Sequence, residues 1–299
     1  MYRFDKIVLS FGFAVVLSVL LFAVPAIALP MSGKDFFNLG VTAMQRGDYP
    51  DAIDNFTEAI DIDANLGAAY SNRCLAYLQL GNYDLAAEDC SQALRLNPRS
   101  TEAYLNRGLA WYRLGDYQAA KLDYNELLKI KPYDFRAYYN RGLADFALGE
   151  YQEAIADYNH SLLQSGPLDR AQFAEIYNDR GLAHLMLKNF PVAISDFDLA
   201  IRFNSGDARG YFNRGCACLY SGNYIMALRD FNQVLALTPN DGQAYFYRGL
   251  VRYQIGSQYA AMADLQKAAE CFCNQGVTIA YQKTLQLIRQ ILSSDSAIG

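Results

Sequence analysis

Six stretches of this chain are near-copies of one another at a fixed step. They read Tyr70-Ser-Asn-Arg-Cys, Tyr104-Leu-Asn-Arg-Gly, Tyr138-Tyr-Asn-Arg-Gly, Tyr177-Asn-Asp-Arg-Gly, Tyr211-Phe-Asn-Arg-Gly and Tyr245-Phe-Tyr-Arg-Gly, with a weaker copy at Phe36-Phe-Asn-Leu-Gly. The step is 34 residues, except for 39 between Tyr138 and Tyr177. A unit this short cannot close a core alone, so it must stack on its neighbours. The repeat therefore overrides any estimate of domain number from the 299-residue length. It also directs the search for function to one long surface and away from a single cleft.

Within the unit, numbered 1 to 34 with that Tyr at position 4, small and large residues keep fixed places. Position 8 is Gly40, Cys74, Gly108, Gly142, Gly181, Gly215 and Gly249, and position 20 is Ala in all seven copies. Position 24 is Phe56, Cys90, Tyr124, Tyr158, Phe197, Phe231 and Leu265. Positions 4, 8 and 11 share one helical face, and 20, 24 and 27 share another. Small residues at 8 and 20 let two backbones approach, while the large ones fill the space beside them. Between them stand Gly47-Asp-Tyr, Gly81-Asn-Tyr, Gly115-Asp-Tyr and Gly222-Asn-Tyr. Gly in the left-handed conformation ends a helix, and Pro50 and Pro191 just beyond suit the first turn of the next. Pro98, Pro132 and Pro239 stop the second helix, so each unit is a helix hairpin.

This arrangement resembles the tetratricopeptide repeat family over residues 33–275, read as seven repeats. The resemblance implies an all-α, right-handed superhelical solenoid whose first helices line the concave side. Residues 277–293 carry Ile279, Leu285, Ile288 and Leu292 at helical spacing and look like the capping helix of such arrays. The array has one defect: five extra residues, Asp169 to Phe173, follow Ser165-Gly166-Pro167. The expectation is an outward loop or a longer second helix in the fourth repeat.

Position 7 is Arg73, Arg107, Arg141, Arg180, Arg214 and Arg248, and position 23 is Asp89, Asp123, Asp157, Asp196, Asp230 and Asp264. The first repeat lacks both, with Leu39 and Asn55 in their places. The two positions change together, which predicts an ion pair inside each repeat; the alternative use of Arg is as a ligand for an acidic partner.

In the family the resemblance points to, positions 2, 5, 6, 9, 12 and 13 face a ligand. Position 6 is Asn38, Asn72, Asn106, Asn140, Asp179, Asn213 and Tyr247. Asn is a mediocre helix former, so five in seven places ask for another reason. Its side chain offers a donor and an acceptor, which suits the backbone of an extended peptide. The ladder is similar to that in the peptide-binding superhelix of the O-linked N-acetylglucosamine transferases, although no transferase domain follows. The alternative is that these amides cap or crosslink neighbouring repeats. Tyr112, Tyr139, Phe146 and Phe212 are the expected apolar contacts around the ladder. The pattern by which other members grip the acidic tails of heat-shock chaperones is absent: Phe37, Val41, Glu102 and Asn106 stand where that clamp needs other residues, and only Asn72 agrees.

Catalytic and cofactor signals are weak. Asp145, His184 and Cys218 occupy position 11 of successive repeats and form the residue set of a cysteine hydrolase, but neighbouring repeats lie about 10 Å apart. The sequence shows no phosphate loop, nucleotide fingerprint or zinc spacing, so no cofactor or metal is expected. A net charge of −5 without a basic stripe argues against nucleic acid. The six Cys are read first as small apolar core residues; Cys74 and Cys90 fall on facing helices and are the best candidate pair if a disulfide forms, and Cys216-x-Cys218 with Cys271-x-Cys273 is the remaining, metal-binding alternative. Arg3 and Lys6 flank an apolar run, Ile7 to Val24, followed by Pro25-Ala-Ile-Ala28. This is a signal peptide cleaved after Ala28 or an uncleaved anchor. The resulting expectation is a non-enzymatic scaffold, exported to the periplasm or an equivalent lumen or anchored through that segment. Its partner is a protein or peptide bound in the concave groove, or a folded partner held on other faces.

Overall fold

The computed structural model describes residues 31–164 and 169–296. The N-terminal apolar run with Ala28, and Ser165-Gly166-Pro167, lie outside the described residues. Fifteen helices form seven hairpins and a terminal helix, with no strand among the described residues. The hairpins pair α1 (Gly33–Arg46) with α2 (Tyr49–Ile62), α3 (Gly67–Leu80) with α4 (Tyr83–Leu96), and α5 (Thr101–Leu114) with α6 (Tyr117–Ile130). They continue with α7 (Phe135–Leu148) and α8 (Tyr151–Gln164), α9 (Arg170–Met186) and α10 (Phe190–Phe203), and α11 (Ala208–Tyr220) and α12 (Tyr224–Leu237). The seventh joins α13 (Gly242–Gln254) to α14 (Gln258–Asn274), and α15 (Thr278–Ser296) packs on it. The terminal helix thus runs three residues beyond the expected end at 293.

The turns follow from local chemistry. Position 15 is left-handed in every hairpin, and Gly fills it six times, as at Gly47 (φ 75°) and Gly115 (φ 85°). The fifth hairpin has Lys188 there instead, at φ 60°, a conformation that costs a side chain with a Cβ about 1 kcal/mol. Asp48, Asp116 and Asn223 follow that position and accept hydrogen bonds from the first turn of the second helix.

The hairpin core is a ring laid on a glycine. A Cβ at Gly108 would stand 2.6 Å from the Tyr124 ring, and one at Gly40 would stand 2.6 Å from Phe56. In the second hairpin the pair is a Cys74–Cys90 disulfide with Cα atoms 5.5 Å apart. All seven alanines at position 20 are fully buried against these pairs.

The Arg and Asp pair within each of the six repeats that carry them. Arg141 grips Asp157 in a fork, Nε–Oδ2 2.6 Å and Nη2–Oδ1 2.7 Å, and the other five pairs repeat the geometry. Each Arg also bonds the preceding hairpin at position 25: Thr57, Ser91, Asn125, Asn159, Asp198 or Asn232. The same guanidinium lies over the position-4 ring of its own helix, 5.2 to 5.8 Å from the centroid. One side chain thereby ties helix to helix and repeat to repeat, and little of its charge is left for a ligand.

Consecutive first helices pack on one another, α1 on α3 through α11 on α13, whereas no two second helices do so to a comparable extent. The stack therefore curves toward its first helices, which form the inner face.

The five inserted residues, Asp169 to Phe173, fall at the start of the next hairpin, where α9 has 17 residues against the 13 or 14 of the other first helices. Arg170 to Phe173 add one N-terminal turn to the first helix of the next hairpin. Asp169 and Gln172 form a capping box that starts α9 early. Phe173 stacks on Phe203 (5.2 Å) and Arg170 donates to the Arg202 carbonyl (2.8 Å), so the added turn docks on α10.

Candidate functional site

The inner face carries the position-6 ladder, but its members are not alike. Asn38 is exposed, Asn106 and Asn140 are half-buried, and none of the three side chains has a hydrogen-bond partner among the described residues. Asn72 donates to the Ala68 carbonyl of its own helix (2.8 Å). Asn213 donates to Asn178 Oδ1 of the preceding repeat (2.8 Å). Asp179 accepts from the Tyr139 hydroxyl (2.7 Å) and from Asn178 (3.4 Å). Tyr247 packs against Phe212 and Phe231. Asn72 and Asn213 are thus engaged internally, and the free amides concentrate in the middle of the array, on α5 and α7.

The aromatic side chains are each half-committed. Tyr139 and Phe212 lie against the position-24 rings of their own hairpins, Tyr158 at 6.0 Å and Phe231 at 5.8 Å. Tyr112 and Phe146 pack on Tyr117 and Tyr151, the first residues of the following helices, at 5.3 Å in both cases. All four remain half-buried.

Sequence reasoning missed a cavity of about 160 Å³ between α5, α7 and α9. Asn140 and Tyr139 line it, with Leu105, Phe135 and Ile176. Gln172, from the extra turn of α9, completes the wall. The one irregular step of the period was its only sequence signal. Burial pushes the Asp179 carboxyl above its usual range against the pull of Tyr139 and Asn178, and burial with the nearby Asp179 charge keeps the Tyr139 hydroxyl protonated.

The cysteine-hydrolase constellation does not assemble chemically. Cys218 is fully buried, and burial pushes its thiol up to about 11, the wrong direction for a nucleophile. Burial lowers His184. Asp145 is ion-paired with Lys121 (2.8 Å), which also reaches Glu150. Among the described residues no three His, Cys, Asp or Glu converge to hold a metal, and no helix is long and apolar enough to cross a membrane.

Stacked hairpins riveted by one ladder of Arg–Asp pairs, with an open inner face, define an all-α superhelical repeat scaffold. Models of the tetratricopeptide repeat match residues 73–135, 139–208 and 208–241, more than half of the chain. The chain belongs to the tetratricopeptide repeat family, whose members generally serve as protein-interaction scaffolds, some of them binding peptides. No curated protein matches the sequence. Among solved structures it is similar to a tetratricopeptide repeat protein from Parabacteroides merdae ATCC 43184, with 20% identity and a TM-score of 0.64 over 85% of this chain and 98% of that one. It is also similar to a chain of the Cut9-Hcn1 hetero-tetramer of APC/C, at 19% identity and TM-score 0.61; 75% of this chain spans only 44% of that one. YrrB, described as a tetratricopeptide protein with an unusual peptide-binding site, shares 20% identity and a TM-score of 0.53 over 66% of this chain and 99% of its own. These likenesses establish the fold.

Proposed function

We propose that this protein is a non-enzymatic scaffold that binds an extended segment of a partner protein along its inner face, gripping the backbone through Asn106 and Asn140. The observation that carries the reading is that these amides, one repeat apart on packed first helices, are half-buried with no internal partner. A polar group so placed gains when an incoming backbone supplies the missing hydrogen bonds. Asn38 extends the strip at the N-terminal end; Asn72 and Asn213 each spend one amide N–H internally and join through the carbonyl oxygen that remains. Tyr112, Tyr139, Phe146 and Phe212 flank the strip. The peptide-binding site described for YrrB adds support by analogy.

The first and last hairpins, outside the matched segments, belong to the same array in this reading. The N-terminal segment exports the chain or anchors it to a membrane, and provides its only membrane contact. The Cys74–Cys90 disulfide supports an oxidising compartment. Nucleic acid is not a partner, since the Arg ladder is consumed internally.

The test is titration of unfolded polypeptide segments against the wild type and the Asn106→Ala/Asn140→Ala double variant. A loss of about tenfold or more is expected for two backbone hydrogen bonds; equal affinity refutes the groove. A second reading, a folded partner on the outer face, is favoured by Ile225 and Tyr259. These occupy equivalent positions on α12 and α14 and are 85% and 92% exposed. If Ile225→Ser/Tyr259→Ser abolishes partner capture while the asparagine variant keeps it, the outer face is the site.

A further inference from the structure

We infer that the cavity between α5, α7 and α9 is the subsite for a basic side chain of the bound segment, with Glu175 receiving its charge. This rests on the inner-face reading above and adds what the segment must carry. The volume, about 160 Å³, equals roughly five waters at the ~30 Å³ each takes in the liquid, room for a four-carbon stem and its nitrogen. Leu105, Phe135, Tyr139 and Ile176 offer an apolar wall to such a stem, and long basic side chains bury their methylenes while the charged end stays near water.

The local charges select the sign. Arg136, which also lines the cavity, is held between Glu102 (2.8 Å) and Asp134 (2.9 Å), so two carboxylates answer its one charge. Glu175 is exposed and has no ion pair among the described residues. The cation within electrostatic reach of it, Arg209, is paired with Asp207 (2.6 Å). The site therefore carries surplus negative charge with one carboxylate unclaimed at the rim of an apolar slot, and a cation on an aliphatic stem complements both. Asn140 lines the same cavity, so a segment seated on the free amides delivers a side chain directly into it. The geometry also accounts for the break in the repeat: the extra turn of α9 brings Gln172 to the wall and closes the slot at this one place in the stack.

The probe is the pentapeptide acetyl-Ala-Ala-Lys-Ala-Ala-amide, compared with its norleucine analogue, which keeps the stem and lacks the charge. Each is titrated into the 15N-labelled chain. The expected result is amide shifts centred on Tyr139, Asn140, Glu175 and Ile176. Norleucine should bind about fivefold more weakly, the upper end for an exposed ion pair. The preference should vanish in Glu175→Gln, an exposed position whose change leaves the fold intact, and should narrow as salt is raised. Equal affinity of the two peptides, shifts centred elsewhere, or no shifts overturns the inference. If both peptides bind equally and both are weakened by Asn140→Ala, the inner-face reading survives and the basic subsite falls. If lysine preference persists with affinity unchanged in Asn106→Ala/Asn140→Ala, the subsite stands and the backbone grip falls.

Discussion

Reduction of the Cys74–Cys90 disulfide should loosen the α3–α4 hairpin and leave the far end of the stack untouched. The bond joins positions 8 and 24, where five other hairpins seat an aromatic ring on a glycine so closely that a Cβ would fall 2.6 to 3.0 Å from ring carbons. The crosslink spans a sequence separation of 16, for which loop-closure entropy in the unfolded chain gives about 3 kcal/mol. A change of about 3 kcal/mol raises the local opening constant roughly a hundredfold. Because each repeat touches only its neighbours, the effect should be confined to α3, α4 and the helices beside them. Hydrogen exchange with and without dithiothreitol reads it directly: amides of α3 and α4 lose protection and those of α13 and α14 do not. The variant Cys74→Gly with Cys90→Tyr installs the pair used in the third and fourth hairpins, so it should resist the reductant and keep its protection. Unchanged exchange in α3 and α4 on reduction, or an equal loss across the whole stack, refutes the reasoning.

Arg141→Ala should cost about 3 kcal/mol in chemical denaturation, because it strands the buried Asp157, whereas Asn125→Ala, which removes only the link to the preceding repeat, should cost about 1 kcal/mol. Lys188→Gly should stabilise the chain by about 0.5–1 kcal/mol, the relief of left-handed strain exceeding the added chain entropy; a loss of stability refutes the strain argument. Asp145 is raised to about 6 by burial, against the pull of Lys121. The folded state thus binds this proton more tightly than the unfolded one, so the contribution of Asp145 to stability falls as pH rises from about 4 to 6 and is flat above. Asp145→Asn should remove that slope from a pH series of urea midpoints. Iodoacetamide at neutral pH should label the exposed Cys273 first and leave Cys218 untouched in the native protein; rapid labelling of Cys218 would revive the hydrolase.

The sequence by itself determined the hairpin, the stacking and the internal rivets. Those features are local and repeated, so each of seven copies tests the same small-to-large complementarity, as at Gly142 and Tyr158, and the joint loss of Leu39 and Asn55 in the first repeat already linked position 7 to position 23. The same repetition concealed what makes the inner face uneven. Six polar side chains at one position look equivalent in sequence, yet partners 35 and 40 residues away in the chain claim Asn213 and Asp179, and a carbonyl four residues back claims Asn72. Only tertiary structure decides this, because a hydrogen bond between repeats depends on how one hairpin is seated on the next. It decided the fate of the insertion in the same way: Asp169 and Gln172 start α9 a turn early, Phe203 gives that turn a surface to dock on, and the cavity beside Asn140 is the consequence.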